Sequence, residues 1–96
     1  MPQSVEVMKA RREKNSEQSP FHPVPIEELV AKIKEYSPDI VFAPHVETSA
    51  GIILPDTYIK QMSDAAHEVG AIMVLDCIAS GCAWVDMSSL GVDALI

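Results

Sequence analysis

Ile72-Met73-Val74-Leu75-Asp76-Cys77-Ile78-Ala79-Ser80-Gly81 sets four apolar residues directly before a carboxylate and follows them with a loop of small residues. A short apolar run of this kind reads as a buried strand of a parallel sheet. It delivers Asp76 to the carboxyl edge, where open α/β sheets bind their ligands. A carboxylate there is costly to desolvate, and it persists where a cation, a metal or hydrogen bonds compensate it. The residues around it decide which.

Before this strand, Pro55 and Asp56 open a helix whose stripe Ile59, Met62, Ala66 and Val69 is closed by Gly70 at a left-handed position. Earlier still, Asp39-Ile40-Val41-Phe42-Ala43-Pro44 reads as a strand, and His45-Val46-Glu47-Thr48-Ser49-Ala50-Gly51 as the loop leaving its carboxyl end. Pro25 suits the first turn of another helix. Ile26, Leu29, Val30, Ile33 and Tyr36 share one of its faces, and Ser37-Pro38 ends it. Downstream come a polar segment with Trp84, expected to pack onto the sheet edge, a turn at Ser88-Ser89-Leu90-Gly91, and the apolar run Val92-Asp93-Ala94-Leu95-Ile96. Helices alternating with buried strands predict an α/β fold, a partial parallel sheet with flanking helices and right-handed crossovers. Both polar loops then leave the same edge. Residues 1 to 24 are polar and end in a Pro-rich run, as an arm or linker does.

With 48% hydrophobic residues in 96 and only one Trp, two Tyr and two Phe, the chain reads like the interior of something larger. Its strands look buried on both faces, and it has too few helices to cover them, so it is expected to be a piece of a bigger domain. A net charge of -7 argues against nucleic acid, whose affinity comes from Lys and Arg neutralising phosphates. No apolar run has the length of a membrane span. The Lys9-Ala10-Arg11-Arg12-Glu13-Lys14 cluster has no apolar signal core behind it, so a cytoplasmic location is expected, with Cys77 and Cys82 reduced.

Three chemistries compete for Asp76. His45-Val46-Glu47 followed by cysteines has the flavour of a zinc deaminase, but Cys77 and Cys82 are separated by four residues instead of two and lack the preceding Pro. An apolar strand ending in Asp also holds magnesium in phosphate-loop NTPases. No G-x-x-x-x-G-K-[ST] occurs here, which weakens that reading without removing it. Third, a carboxylate held against a pyridine nitrogen keeps it protonated, the state in which pyridoxal phosphate is an electron sink. Such a site needs a donor to the phenolic oxygen and an apolar side chain under the ring, which Thr48 and Ile78 could supply. A fourth, plainer role is a carboxylate capping the loop that follows it.

His45 to Ile52, then Val74-Leu75-Asp76-Cys77-Ile78-Ala79-Ser80-Gly81, then Gly91-Val92-Asp93-Ala94-Leu95-Ile96 together resemble the central part of class V aminotransferases, fold type I pyridoxal-phosphate enzymes that include alanine- and serine-glyoxylate aminotransferases and cysteine desulfurases. The resemblance covers roughly residues 38 to 96 and rests on three blocks in order. It implies that Asp76 pairs with the pyridinium nitrogen of pyridoxal 5'-phosphate, that Ile78 packs on the ring face and that Thr48 lies near the phenolic oxygen or Asp76. Glu47 belongs to the same loop, with a less defined role. It further implies that residues 25 to 96 form part of a cofactor-binding large domain truncated at both ends. The implied parent is a homodimer that transfers an amino group between an amino acid and a 2-oxo acid.

The Schiff-base lysine of the family is expected just beyond Ile96, and none of Lys32, Lys34 and Lys60 matches it, so no catalytic residue is assigned in this chain. The phosphate-binding loop and the substrate-carboxylate arginine are also unmatched, and the chain is expected to be silent by itself. Desulfurase or lyase chemistry in the parent, or a non-catalytic subunit that acts by association, are the alternatives. His45 is read as a loop histidine bonded to backbone, and His22 and His67 as structural or exposed.

Overall fold

A computed structural model describes residues 4–12, 20–81 and 85–96. Trp84 and Cys82, expected respectively at the sheet edge and as a reduced thiol, lie outside the described residues. In chain order the elements are β1 (Arg11–Arg12), β2 (Phe21–His22), α1 (Ile26–Tyr36), β3 (Ile40–Pro44), β4 (Val46–Glu47), β5 (Ile52–Ile53), α2 (Asp56–Glu68), β6 (Ile72–Asp76), α3 (Met87–Leu90) and β7 (Ala94–Leu95).

The predicted parallel sheet is present, in the order β3-β6-β7 with β6 central. Ile40 to Pro44 pair in register with Ile72 to Asp76, and Val74 and Leu75 pair with Ala94 and Leu95. Because successive strand residues point to opposite faces, Val41, Met73 and Leu75 are buried against the helices, while Ile40, Phe42 and Ile72 are 55%, 56% and 52% exposed. The all-apolar sequence of these strands predicts burial on both sides. Among the described residues only one face is covered, by α1 and α2, which pack on each other and close a core that includes Leu29, Ile33, Ile59, Met62, Ala66 and Met73.

Helix boundaries follow local chemistry. α1 starts after Pro25, whose carbonyl accepts from the amides of Glu28 and Leu29 at 3.0 and 3.1 Å, and it stops where Ser37 turns left-handed at φ 50°. α2 ends in a Schellman motif. The Gly70 amide donates to the His67 carbonyl and the Ala71 amide to the Ala66 carbonyl, with Gly70 at φ 77°.

Three expectations are refined. The loop after β3 contains a small hairpin, Val46 opposite Ile53 and Glu47 opposite Ile52. The turn at Ser88–Gly91 is the end of α3, capped by Asp86, whose carboxylate accepts from the amides of Ser88 and Ser89. The last run is strand only at Ala94–Leu95. The described part of the segment read as an arm lies back over α1: β1 and β2 pair antiparallel, Arg11 bridges Glu28 at 2.5 Å, and the Ser4 and Tyr36 hydroxyls are hydrogen-bonded. Tyr58 donates to the Val24 carbonyl at 2.6 Å and fixes the entry to α1. Among the described residues, no helix is long and apolar enough to cross a membrane.

Candidate functional site

The carboxyl edge of the sheet gathers the residues singled out in the sequence. β3 and β6 end side by side, with Pro44 paired to Asp76, so the loops that follow them start from adjacent strands. The His45 amide continues the ladder by donating to the Asp76 carbonyl at 2.8 Å. On the other flank, the Cys77 amide donates to the Ile96 carbonyl at 2.9 Å, and the Ile96 amide to the Leu75 carbonyl at 3.0 Å. Asp76 is therefore held by backbone on both sides, at the end of the central strand.

Its side chain is less committed. Oδ1 accepts from the Ile78 amide at 3.0 Å, the loop-capping arrangement that a strand-end aspartate readily makes. Among the described residues Oδ2 has no hydrogen-bond partner. Ile78, two residues on, is 77% exposed, an unusual setting for an isoleucine beside a carboxylate. The Ser80 amide closes a turn onto the Cys77 carbonyl at 3.0 Å, which fixes the backbone on which Ile78 is displayed.

In the neighbouring hairpin, Glu47 Oε1 accepts from the Ser49 hydroxyl at 2.5 Å and from the Ser49 amide at 3.0 Å. Those two bonds, the hydroxyl foremost, hold the Glu47 carboxyl below the usual glutamate range. Glu47 thus spends its charge on the turn that displays Thr48. Thr48 itself is exposed at the tip, and among the described residues no hydrogen bond joins it to Asp76. The structure places the two on loops that leave adjacent strands at one edge.

His45 departs from its expected role. Its side chain is buried, at 4% exposure, and Nδ1 lies 2.7 Å from Ser80 Oγ, a hydrogen bond whose direction follows the imidazole tautomer. The ring partner is a side chain of the other loop and not backbone. His67 is exposed and meets Asp93, with Nε2 2.7 Å from Oδ2. Asp93, which carried no role in the sequence reading, also accepts from the Met73 amide at 2.7 Å. The Met73 bond and then the His67 contact keep its carboxyl below the usual aspartate range. The signal for Asp93 was faint: an acid interrupting an otherwise apolar strand.

The remaining candidates lie elsewhere. Lys32, Lys34 and Lys60 pair with Glu6, Glu68 and Asp64, and among the described residues none of them bonds to Asp76. A shallow groove between α1 and α2, floored by Ile26, Val30 and Ala65, is lined by none of Glu47, Thr48, Asp76 and Ile78. Among the described residues no group of three or more His, Cys, Asp or Glu side chains is arranged to hold a metal ion.

No protein-family model matches this chain, and no curated protein matches it. Among solved structures it is similar to the ureidoglycine-glyoxylate aminotransferase of Bacillus subtilis, at 31% sequence identity and a TM-score of 0.64. The match takes in 72% of this chain and 18% of that one. An α/β arrangement like that of most of this chain is thus also found within an aminotransferase, of which this chain spans less than a fifth.

Proposed function

We propose that this chain carries the ring-binding part of a pyridoxal-phosphate-dependent aminotransferase that moves an amino group between an amino acid and a 2-oxo acid. The observation that carries the reading is Asp76: a carboxylate at the end of a central parallel strand, with Oδ2 uncommitted, next to an exposed isoleucine. The likeness to the glyoxylate-dependent enzyme supports the transamination branch over desulfurase or lyase chemistry.

The residues present fit the cofactor. Bound pyridoxal phosphate supplies an electron sink for breaking bonds at the substrate's α-carbon. Asp76 holds the proton on the pyridine nitrogen with its free oxygen, while the Ile78 amide keeps the carboxylate aimed. Ile78 offers an apolar surface to one ring face and excludes water there. Thr48 offers a hydroxyl to the phenolic side, and Glu47 shapes the turn that presents it through Ser49. A cytoplasmic homodimer is the assembly proposed for the complete enzyme.

Pyridoxamine 5'-phosphate, which has no aldehyde to trap stray lysines, tests this on the 96-residue chain by amide NMR. Shifts should concentrate at residues 76–80 and 47–51. Asp76→Ala should weaken binding about tenfold or more, the worth of a hydrogen bond to a charged group. Equal binding by Asp76→Ala, or shifts confined to the helices, would remove the assignment. A second reading, a non-catalytic chain that associates with a longer relative, is favoured by the bare apolar sheet face. A cooperatively folding monomer on size-exclusion chromatography counts against it.

A further inference from the structure

We infer that His45 is a positioning residue that locks the two loops of the Asp76 edge together, a role that rests on the cofactor reading above and deepens it. Three separate segments meet on this one buried residue. Its amide donates to the Asp76 carbonyl at 2.8 Å, its carbonyl accepts from the Leu54 amide at 2.9 Å, and its ring bonds the Ser80 hydroxyl at 2.7 Å. The first tie fixes the end of β6, the second closes the base of the β4–β5 hairpin, and the third fastens the Cys77–Gly81 loop.

Only the third depends on side chains, and it spans 35 residues of sequence. Without it, the hairpin bearing Thr48 and the loop bearing Ile78 still leave adjacent strands, but nothing among the described hydrogen bonds joins them past the strand ends. A part-buried hydrogen bond to a residue that is itself 4% exposed is well suited to this, because water competes for it less than at the surface. His45 acts through the loops it ties, setting the distance between the groups they carry.

Ser80→Ala removes the tie while leaving the backbone and the buried ring in place, and Ser80→Thr restores a hydroxyl. Amide hydrogen exchange on the 96-residue chain should rise about fivefold at residues 46–54 in Ser80→Ala, the size expected for one net hydrogen bond, with α1 and α2 unchanged. Ser80→Thr should return it toward the original rate. Ser80→Ala should weaken pyridoxamine 5'-phosphate binding by a similar factor, and Ser80→Thr should restore it. Unchanged exchange in the hairpin, or an equal rise in both helices, overturns the locking role. If the unsubstituted chain does not bind the analogue although the exchange result holds, the cofactor reading fails and the positioning role with it, leaving a tie between loops. Binding that is unaffected by Ser80→Ala overturns the positioning role while the cofactor reading stands.

Discussion

Replacing Gly91 with alanine probes how closely α3 seats on α2. Gly91 has φ 73°, and a Cβ built there falls 3.2 Å from the Ser63 Cβ. The left-handed backbone alone costs an alanine about 1 kcal/mol. Ser63 cannot retreat, being fully buried within α2 beside Met62 and Ala66, so crowding adds roughly another 1 kcal/mol, the low end of overpacking. Gly70→Ala is the internal control. Its φ is 77° and nothing lies within 4 Å of the added Cβ, so only the backbone cost applies. Any gain from a stiffer unfolded chain is common to both substitutions and cancels in the difference. Urea unfolding followed by circular dichroism at 222 nm should give Gly91→Ala an unfolding free energy roughly 1 kcal/mol below that of Gly70→Ala, and a lower midpoint, with m unchanged. Ser63→Gly in the Gly91→Ala background should recover the crowding share in a double-mutant cycle, after its own helix cost of about 1 kcal/mol. Ser63→Ala should not, because it keeps the Cβ that makes the contact. Equal midpoints for the two glycine variants would falsify the close approach and detach α3 from α2.

Asp93 supplies a pH dependence whose sign is fixed. Its folded carboxyl titrates below its unfolded value, so the stabilisation is complete above the unfolded pKa, near 3.8, and is lost as pH falls through the folded value. Asp93→Asn should flatten the acid limb of the stability profile measured by urea titration between pH 5 and about 2; an unaltered acid limb refutes the assignment. On the bare sheet face, Phe42→Thr with Ile72→Thr keeps strand-forming side chains, so stability should change by less than about 1 kcal/mol while binding of a hydrophobic dye falls several-fold. Loss of cooperative unfolding in that variant would show that the face is buried in solution. Met73→Ala, at a fully buried position of the central strand, should cost about 2–5 kcal/mol by the same urea assay, and a loss under 1 kcal/mol would move Met73 out of the core.

Much of the fold was legible because its signals are local. Pro25, Ser37-Pro38, Pro55 and Gly70 bracket the two long helices, and capping chemistry acts over a few residues. The order of the elements then gave the parallel sheet and put the loops at 45–51 and 77–81 on one edge. Val46–Glu47 and Ile52–Ile53 are too short for a period-two pattern to emerge, and the four residues of α3 are too few for a helical one. Which face of β3 and β6 is covered was invisible, since residues on both faces are apolar. Asp76 could be located from sequence, but its capping bond to Ile78 and its free oxygen depend on loop geometry. His45 with Ser80 and Asp93 with Met73 are joined across 35 and 20 residues, and only the strand register brings them together.

The one-sided sheet has a counterpart in mutational tolerance. Along β3 and β6, positions 41, 73 and 75 face the helices, and 40, 42 and 72 face outward. If the chain works as it stands here, substitution by lysine should be rejected at the odd positions and accepted at the even ones. If its working state lays another layer on that surface, the even positions become as intolerant as the odd. A saturation library of these two strands, scored by survival of the folded protein in the cell, reads the second layer without isolating it.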